Sequence, residues 1–384
     1  MWSLLIPPLI INFLSIIEIS TINKNLTFKQ IIFSSLGVLI FFLAKKINIK
    51  KFKSNIPYIY AFFLSLLFFL LFKKGISRWF KLSFLYIQPS EFAKLSLILT
   101  YSYFLEKFPH NYKTYLIIGS ITLLYFIPTA LQPDLGTALI FIFLFLWTLL
   151  KVNFHQILNA FTLFYAIGSI SILSKKFFLV YLIILIPLTY ILLKKINLSI
   201  FLTFSILLAL GISSLLFEKG LKPYQKNRIR AFFYPEKYSK TYAWQSIQSK
   251  IAIGSGGLIG KGIGKGTQKG LAFLPAAHTD FIFSAIVEEM GFFAGITVIL
   301  LILFITLNLL NLSEKFEGFG KYFLYLSSGY FFMQSFINIG CALGLLPPIG
   351  IPLIFSSYGG SHTITEFLTL GFAYALLTQK TRNI

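Results

Sequence analysis

Acidic residues are scarce in this chain, 12 among 384 against 34 lysines and arginines, so each one is a candidate for chemistry. Asp280 closes the run His278-Thr279-Asp280 and stands directly before an apolar stretch. A carboxylate at the mouth of an apolar helix is partly desolvated, which suits a general base. The same position suits a helix N-cap, and residue chemistry alone leaves the two readings level. His278 could orient a substrate, although a lone interfacial histidine usually has no such role. Glu91 and Lys94 are three residues apart in another apolar stretch, so on a helix they share a face and can pair. Asp134 follows Gln132-Pro133 at the head of a third stretch. Ionisable groups inside apolar spans are functional candidates by default, with a structural ion pair as the competing reading. Glu288 and Glu289 fall about two helical turns beyond Asp280, where they could line a polar cavity or cap a buried network.

A second feature is the run from Gly254 to Gln268, where seven glycines are interleaved with Lys261 and Lys265. Glycines let backbone N–H groups approach an anion, and the lysines add charge. A Walker A loop needs Gly-Lys followed by Ser or Thr. Here glycine follows each lysine, which excludes it. A dinucleotide fingerprint needs a preceding strand in a βαβ unit, for which the flanking sequence gives no support. The preferred reading is a loop facing phosphate, with a flexible loop as the alternative.

The elements that must position these residues are membrane spans. The chain is 57% hydrophobic and only 12% charged, whereas soluble domains carry about 25% charged residues. Apolar stretches long enough to cross a core of roughly 30 Å fall near 3–20, 30–44, 56–72, 89–105, 114–130, 134–150, 155–173, 177–193, 199–217, 281–311, 321–346 and 352–378. The expected fold is therefore an all-α polytopic membrane protein, a bundle of 10–12 transmembrane helices with one long extracellular loop. Residues 4–19 read as a first span, not a removed signal. Cys341 is the single cysteine and allows no internal disulfide. The net charge of +22 is mostly short-loop lysine, as the positive-inside rule expects, and does not argue for nucleic acid. Lys45, Lys46, Lys50, Lys51 and Lys53 place the end of the second span in the cytoplasm, and alternation then puts both termini there; Lys175-Lys176 runs mildly against this scheme. The segment 218–280 falls outside. It carries eleven basic residues against three acids, and an anionic ligand at the membrane surface would account for that excess. Glu91, Lys94, Asp134 and Asp280 all fall at the same outer side. The chain is treated as one domain, with 218–280 as its long loop.

The motifs resemble those of the SEDS proteins (shape, elongation, division and sporulation). The resemblance runs from about residue 28 through nearly the whole chain. It rests on Gly75-Ile76-Ser77-Arg78-Trp79, Gln88-Pro89-Ser90-Glu91-Phe92-Ala93-Lys94, Gln132-Pro133-Asp134-Leu135-Gly136-Thr137, the loop from Gln248 to Gln268, Phe273-Leu274-Pro275, His278-Thr279-Asp280-Phe281-Ile282-Phe283 and Gly359-Gly360-Ser361. The wording of the loop favours the elongation branch of the family over the division branch. Departures are Ala276 where the family commonly has Glu, Ile349 to Phe355, and His362 after Gly-Gly-Ser. They weaken the assignment of substrate contacts to 349–362. The family has seven spans before its long loop; nine stretches occur here, so 155–217 is expected to contain an extra helical hairpin.

The resemblance implies a peptidoglycan glycosyltransferase in the bacterial cytoplasmic membrane. It would polymerise lipid II on the outer face, passing a glycan carried on undecaprenyl diphosphate to a new acceptor. Asp280 falls on the family's essential aspartate, and Glu91, Lys94 and Asp134 on its functional membrane residues. Arg78, Lys94 and Lys261 become candidates for the leaving diphosphate, with Gln268 and His278 as further substrate contacts. A class B penicillin-binding protein (a transpeptidase) and other elongation-complex proteins are the implied partners. A divalent cation, Mg2+ or Mn2+, is compatible with such a leaving group, but the sequence offers no clean ligand set. The rival functions are a flippase for the same precursor, which many spans with buried charges fit equally well, and a non-catalytic scaffold.

Overall fold

In the computed structural model, which describes residues 2–73, 78–82, 85–110, 112–151, 222–270, 273–274 and 276–382, the chain divides into two compact units. The first joins Met1–Trp147 to Tyr234–Ile384; the second is Thr148–Phe233. In the second unit the description covers the end of one helix and α8 (Pro223–Phe233), which begins on the proline that a first helical turn tolerates. The expected spans at 155–173, 177–193 and 199–217, with the extra hairpin, lie outside the described residues. The first unit holds every candidate site residue.

Its helices are α1 (Trp2–Ile22), α2 (Lys24–Ala44), α3 (Ile49–Phe52), α4 (Ile56–Phe72), α5 (Pro89–Lys107), α6 (Tyr112–Leu131), α7 (Leu135–Lys151, whose last residues enter the second unit), α9 (Trp244–Ser255), α10 (Thr267–Gly270), α11 (Ile282–Ser313), α12 (Gly318–Ala342) and α13 (Gly360–Arg382). A short antiparallel hairpin, β1 (Phe80–Leu82) with β2 (Leu85–Ile87), sits between α4 and α5. Trp2–Ile22, Lys24–Ala44, Ile49–Phe72, Lys113–Leu131 and Ile282–Ser313 are long and apolar enough to cross a membrane. Helices α5, α12 and α13 are as long, at 19, 25 and 23 residues, but bury polar side chains along their length. The chain is a multi-pass membrane protein.

The second helix starts six residues earlier than the expected span at 30, because the Asn23 side chain accepts from the N–H groups of Asn25 and Leu26 and so caps it. The last helix starts later than expected. The hydropathy pattern includes 352–359 in the final span, yet α13 begins at Gly360. Pro352 lacks an amide hydrogen, and the stretch that follows finds other partners. The Leu353 N–H donates to Ser357 Oγ at 2.7 Å, and the Phe355 N–H to Glu366 Oε2 at 2.7 Å. The result is a buried, non-helical strap. The long loop is also more structured than its glycines suggest, since it contains α9 and α10.

Side-chain bonds between helices fix which ends lie together. Asn308 of α11 donates to the Ser3 carbonyl at 3.5 Å, and Thr21 Oγ1 to Glu289 at 3.5 Å, so α1 and α11 run antiparallel. At the end opposite the long loop, Lys53 bonds Glu106 at 2.6 Å and Gln379 Nε2 donates to the Ile47 carbonyl at 2.6 Å. Helices approach closely where one side is small. A Cβ on Gly329 would overlap the Trp147 ring, whose Nε1 donates to the Tyr325 carbonyl. The loop end of the first unit therefore gathers the α1–α2 turn, the hairpin, the Gln132–Asp134 turn, the glycine loop, residues 276–281 and the strap.

Candidate active site at the loop end of the bundle

The hairpin accounts for one half of the site. Phe80 pairs with Ile87, which brings Arg78 and Gln88 back beside each other at its open end. Both reach Asp134. Arg78 Nη1 lies 3.6 Å from Asp134 Oδ1, while Gln88 Nε2 and Ser90 Oγ donate to Oδ2 at 2.7 and 3.0 Å. The carboxylate is 4% exposed and the arginine 38%. Asp134 thus holds a cation that still faces outward.

Asp280 supplies the other half. The N-cap of α11 is Phe281, with no side-chain cap bond, so Asp280 does not occupy the capping position. Its backbone is held from several sides. Asn338 Nδ2 donates to the Asp280 carbonyl at 2.8 Å, Ser357 Oγ to the Thr279 carbonyl at 2.7 Å, and the Tyr358 N–H to the His278 carbonyl at 2.8 Å. Asp280 Oδ2 lies against Gly350, 3.5 Å from where a Cβ would stand. A Cβ on Gly136 would in turn press on Ile351 and the Gly350 carbonyl. Glycine at 136 lets the Asp134 turn pack against residues 349–351, the same stretch that the Asp280 carboxylate lies against. His278 is half-buried against Tyr358, ring centroids 5.8 Å apart, and burial lowers its pKa, favouring the neutral imidazole. The Trp244 indole donates to the Phe273 carbonyl at 3.0 Å, and Ser249 ties α9 to Ser284 and to the Ala342 carbonyl, both at 2.6 Å.

Beneath the strap lies a buried ionic network. Lys94 Nζ meets Glu91 Oε2 at 2.8 Å and donates to Gln334 Oε1 at 2.9 Å, over the Tyr330 ring. His362 Nδ1 lies 3.1 Å from Glu366 and 3.7 Å from Glu91. The network then holds the strap. Gln334 Nε2 donates to the Pro352 carbonyl at 3.1 Å, His362 Nε2 lies 3.1 Å from the Leu353 carbonyl, and Glu366 takes the Phe355 N–H. Lys94 is 1% exposed and fully engaged, so in this structure it meets no outside anion. Gln334, Asn338, His362 and Glu366 were not among the sequence candidates. Glu366 offered a signal, an acid within an apolar stretch; the polar residues of α12 offered none beyond their polarity.

The glycine loop turns its donors inward, which corrects the expectation that it faces phosphate. Thr267 and Gln268 donate their backbone N–H groups to Glu288 Oε1 at 2.7 and 3.1 Å, and Lys261 Nζ joins them at 2.7 Å. Gly264 and Gly266 donate theirs to the Glu289 carboxylate, each at 2.9 Å. The cradle for an anion exists, but the chain's own carboxylates fill it. Lys261 and Gln268 therefore sit in a structural clamp, and the Gln268 side-chain oxygen is buried without a hydrogen bond. Among the described residues no group of three or more His, Cys, Asp or Glu is placed to hold a metal ion. Three of the carboxylates, Asp134, Glu91 and Glu288, are instead paired with Arg78, Lys94 and Lys261.

Fold and site together define a class: a polytopic membrane protein with a buried ionic network and carboxylates gathered beneath one long loop. The chain belongs to the FtsW/RodA/SpoVE family of cell cycle proteins, whose profile matches residues 2–183 and 153–382. Among curated proteins it is 32% identical to the peptidoglycan glycosyltransferase RodA of Treponema pallidum, across 91% of this chain and 88% of that one. It is 31% identical to the peptidoglycan glycosyltransferase MrdB of Escherichia coli K12 (90% and 84% covered), and 30% identical to a probable peptidoglycan glycosyltransferase FtsW of Trichlorobacter lovleyi (78% and 68%). Two solved structures share the fold. One, reported as showing structural coordination of polymerization and crosslinking by a peptidoglycan synthase complex, has a TM-score of 0.72 at 24% identity, covering 99% of this chain and 98% of that one. The other, the rod shape determining protein RodA of Thermus thermophilus, has a TM-score of 0.63 at 22% identity, covering 99% and 97%.

Proposed function

We propose that this protein is a peptidoglycan glycosyltransferase that polymerises lipid II at the outer face of the bacterial cytoplasmic membrane, with Asp280 as its general base. The observation that carries this reading is that Asp280 and the turn bearing the Arg78–Asp134 pair both pack against residues 349–351, just ahead of the strap, at one end of the bundle. Asp280 takes the proton of the acceptor sugar hydroxyl. The freed oxygen attacks the anomeric carbon of the growing glycan with inversion, and the polyprenyl diphosphate leaves. Its developing charge needs a cation. Arg78 suits this task because it stays exposed while Asp134 orients it. Glu91 and Lys94 act at one remove by fixing the strap behind Asp280.

The lysines at 45–53 lie at the end opposite the site, and both chain ends lie with them, which supports cytoplasmic termini. A class B penicillin-binding protein is the natural partner, because a glycan strand needs crosslinking. A flippase would place its critical charges at mid-membrane, whereas Asp134 and Asp280 stand at helix ends. The two functions separate when purified protein is reconstituted in vesicles and given lipid II on the loop side alone. Glycan strands should form, with and without the partner. Movement of lipid II across the bilayer with no strand formed would refute the proposal.

A further inference from the structure

The glycine loop meets α11 where that helix is broken, and the break has a definable depth. Helix α1 has 21 residues, about 31 Å at 1.5 Å per residue, which matches a hydrocarbon core of roughly 30 Å. Its Ser3 end is level with Asn308 and its Thr21 end with Glu289. Gly291, with φ 83° and ψ 179°, interrupts α11 just past Glu289. The helix beyond it runs about 22 residues, roughly 33 Å, again one membrane thickness. Gly291 therefore lies at the loop-side boundary of the hydrocarbon.

At that boundary the loop repairs the opened helix. Lys261 and Gly262 donate their N–H groups to the carbonyls of Glu288 and Glu289, both at 3.0 Å. The carbonyls of Gly257 and Leu258 accept from the N–H groups of Phe292 and Phe293 at 2.9 and 3.4 Å. The contact is backbone against backbone: a Cβ on Gly260 would overlap the Glu289 carbonyl. These pairings satisfy backbone groups that would otherwise stand open at the boundary, which lowers the cost of bringing the loop against lipid. The side chains it presents are apolar and bare. Leu258, Ile259 and Ile263 are 62%, 82% and 59% exposed, next to Phe292 and Phe293 at 50% and 62%. Lys265, exposed beside them, can reach phosphate headgroups while its stem stays in apolar surroundings.

We propose that residues 257–263 form an apolar knuckle that dips into the loop-side leaflet of the bilayer and anchors the loop there, with Lys265 at the level of anionic headgroups. The proposal stands independently of the glycosyltransferase reading. The occupant is lipid because the knuckle sits at the depth where α1 ends, and its apolar surface continues that of Phe292 and Phe293 on a membrane-spanning helix.

The test attaches an environment-sensitive fluorophore to Ile259→Cys in the full chain, in vesicles of phosphatidylethanolamine and phosphatidylglycerol. Cys341 is buried, and unsubstituted protein reports any labelling there. A second label on Lys240→Cys, an exposed loop position, gives the aqueous reference. At 259 the emission should shift to the blue, lipid-borne nitroxide should quench it strongly, and iodide should quench it several-fold less than at 240. Equal iodide quenching at the two positions, without quenching by lipid, would overturn the proposal. So would shielding at 259 that arises only when a class B penicillin-binding protein is added, which would make the patch a protein interface.

Discussion

Lys94 has its side chain 1% exposed, wedged between Glu91, Gln334 and the Tyr330 ring. Removing one member of such a pair strands the other, at a cost of about 3–5 kcal/mol, whereas replacing both with uncharged groups costs much less. Lys94→Met should therefore lower the melting temperature sharply, and the double variant Glu91→Gln/Lys94→Met should recover part of the loss; a double variant no more stable than the single would argue against the pair. His278 gives a pH-dependent counterpart outside the spans. Burial lowers its pKa below the ordinary 6.5, so as the pH falls below about 6.5 the unfolded chain takes up this proton first and stability declines. Thermal melts between about pH 7.5 and pH 5.5 should show that decline, and His278→Gln should reduce it. At this scale the sequence was informative about the i, i+3 pair and about Asp280, and it left the capping alternative open until Phe281 proved to hold the N-cap. It could not separate Lys94 as a diphosphate contact from Lys94 as a buried clamp, because the difference lies in Gln334 and His362, which reach it from other helices.

The glycine loop shows the same limit one scale up. Glycine and lysine in alternation make a cradle for an anion, and the sequence does not say whether that anion comes from outside or from Glu288 and Glu289 on the next helix. The hairpin that returns Arg78 to Asp134 was not legible at all, since three-residue strands carry no periodic signal. The strap was hidden by its own apolar residues, which read as the start of a span. The clamp makes a direct prediction. Gly260 has φ +91° and a Cβ there would overlap backbone, so Gly260→Ala should cost at least about 1–3 kcal/mol in strain, with a lower melting temperature and lower polymerase activity. Gly254 lies in α9 with nothing within 4 Å of an added Cβ. Gly254→Ala should be neutral or stabilising by up to about 1 kcal/mol. Equal effects at the two positions would contradict the backbone contact.

Across the whole molecule, composition and lysine placement were enough to give a polytopic helical bundle with its lysine cluster at one end and its site at the other. Helices α5, α12 and α13 are less uniformly apolar than α1 or α11, for a physical reason: they carry the residues of the buried ionic network. The same network explains how the surface at the loop end keeps its shape. Charged groups from α5, α12 and α13 meet beneath the strap, and the strap in turn holds residues 278–280. The central claim is that Asp280 is the base in glycan polymerisation. It is tested most directly by comparing the lipid II polymerisation rates of wild-type protein and Asp280→Asn, both purified and shown to have the same melting temperature. A general base contributes about 10²–10⁴-fold, so the variant should lose at least about 10²-fold in rate while remaining folded; polymerisation by Asp280→Asn at the wild-type rate would contradict the account.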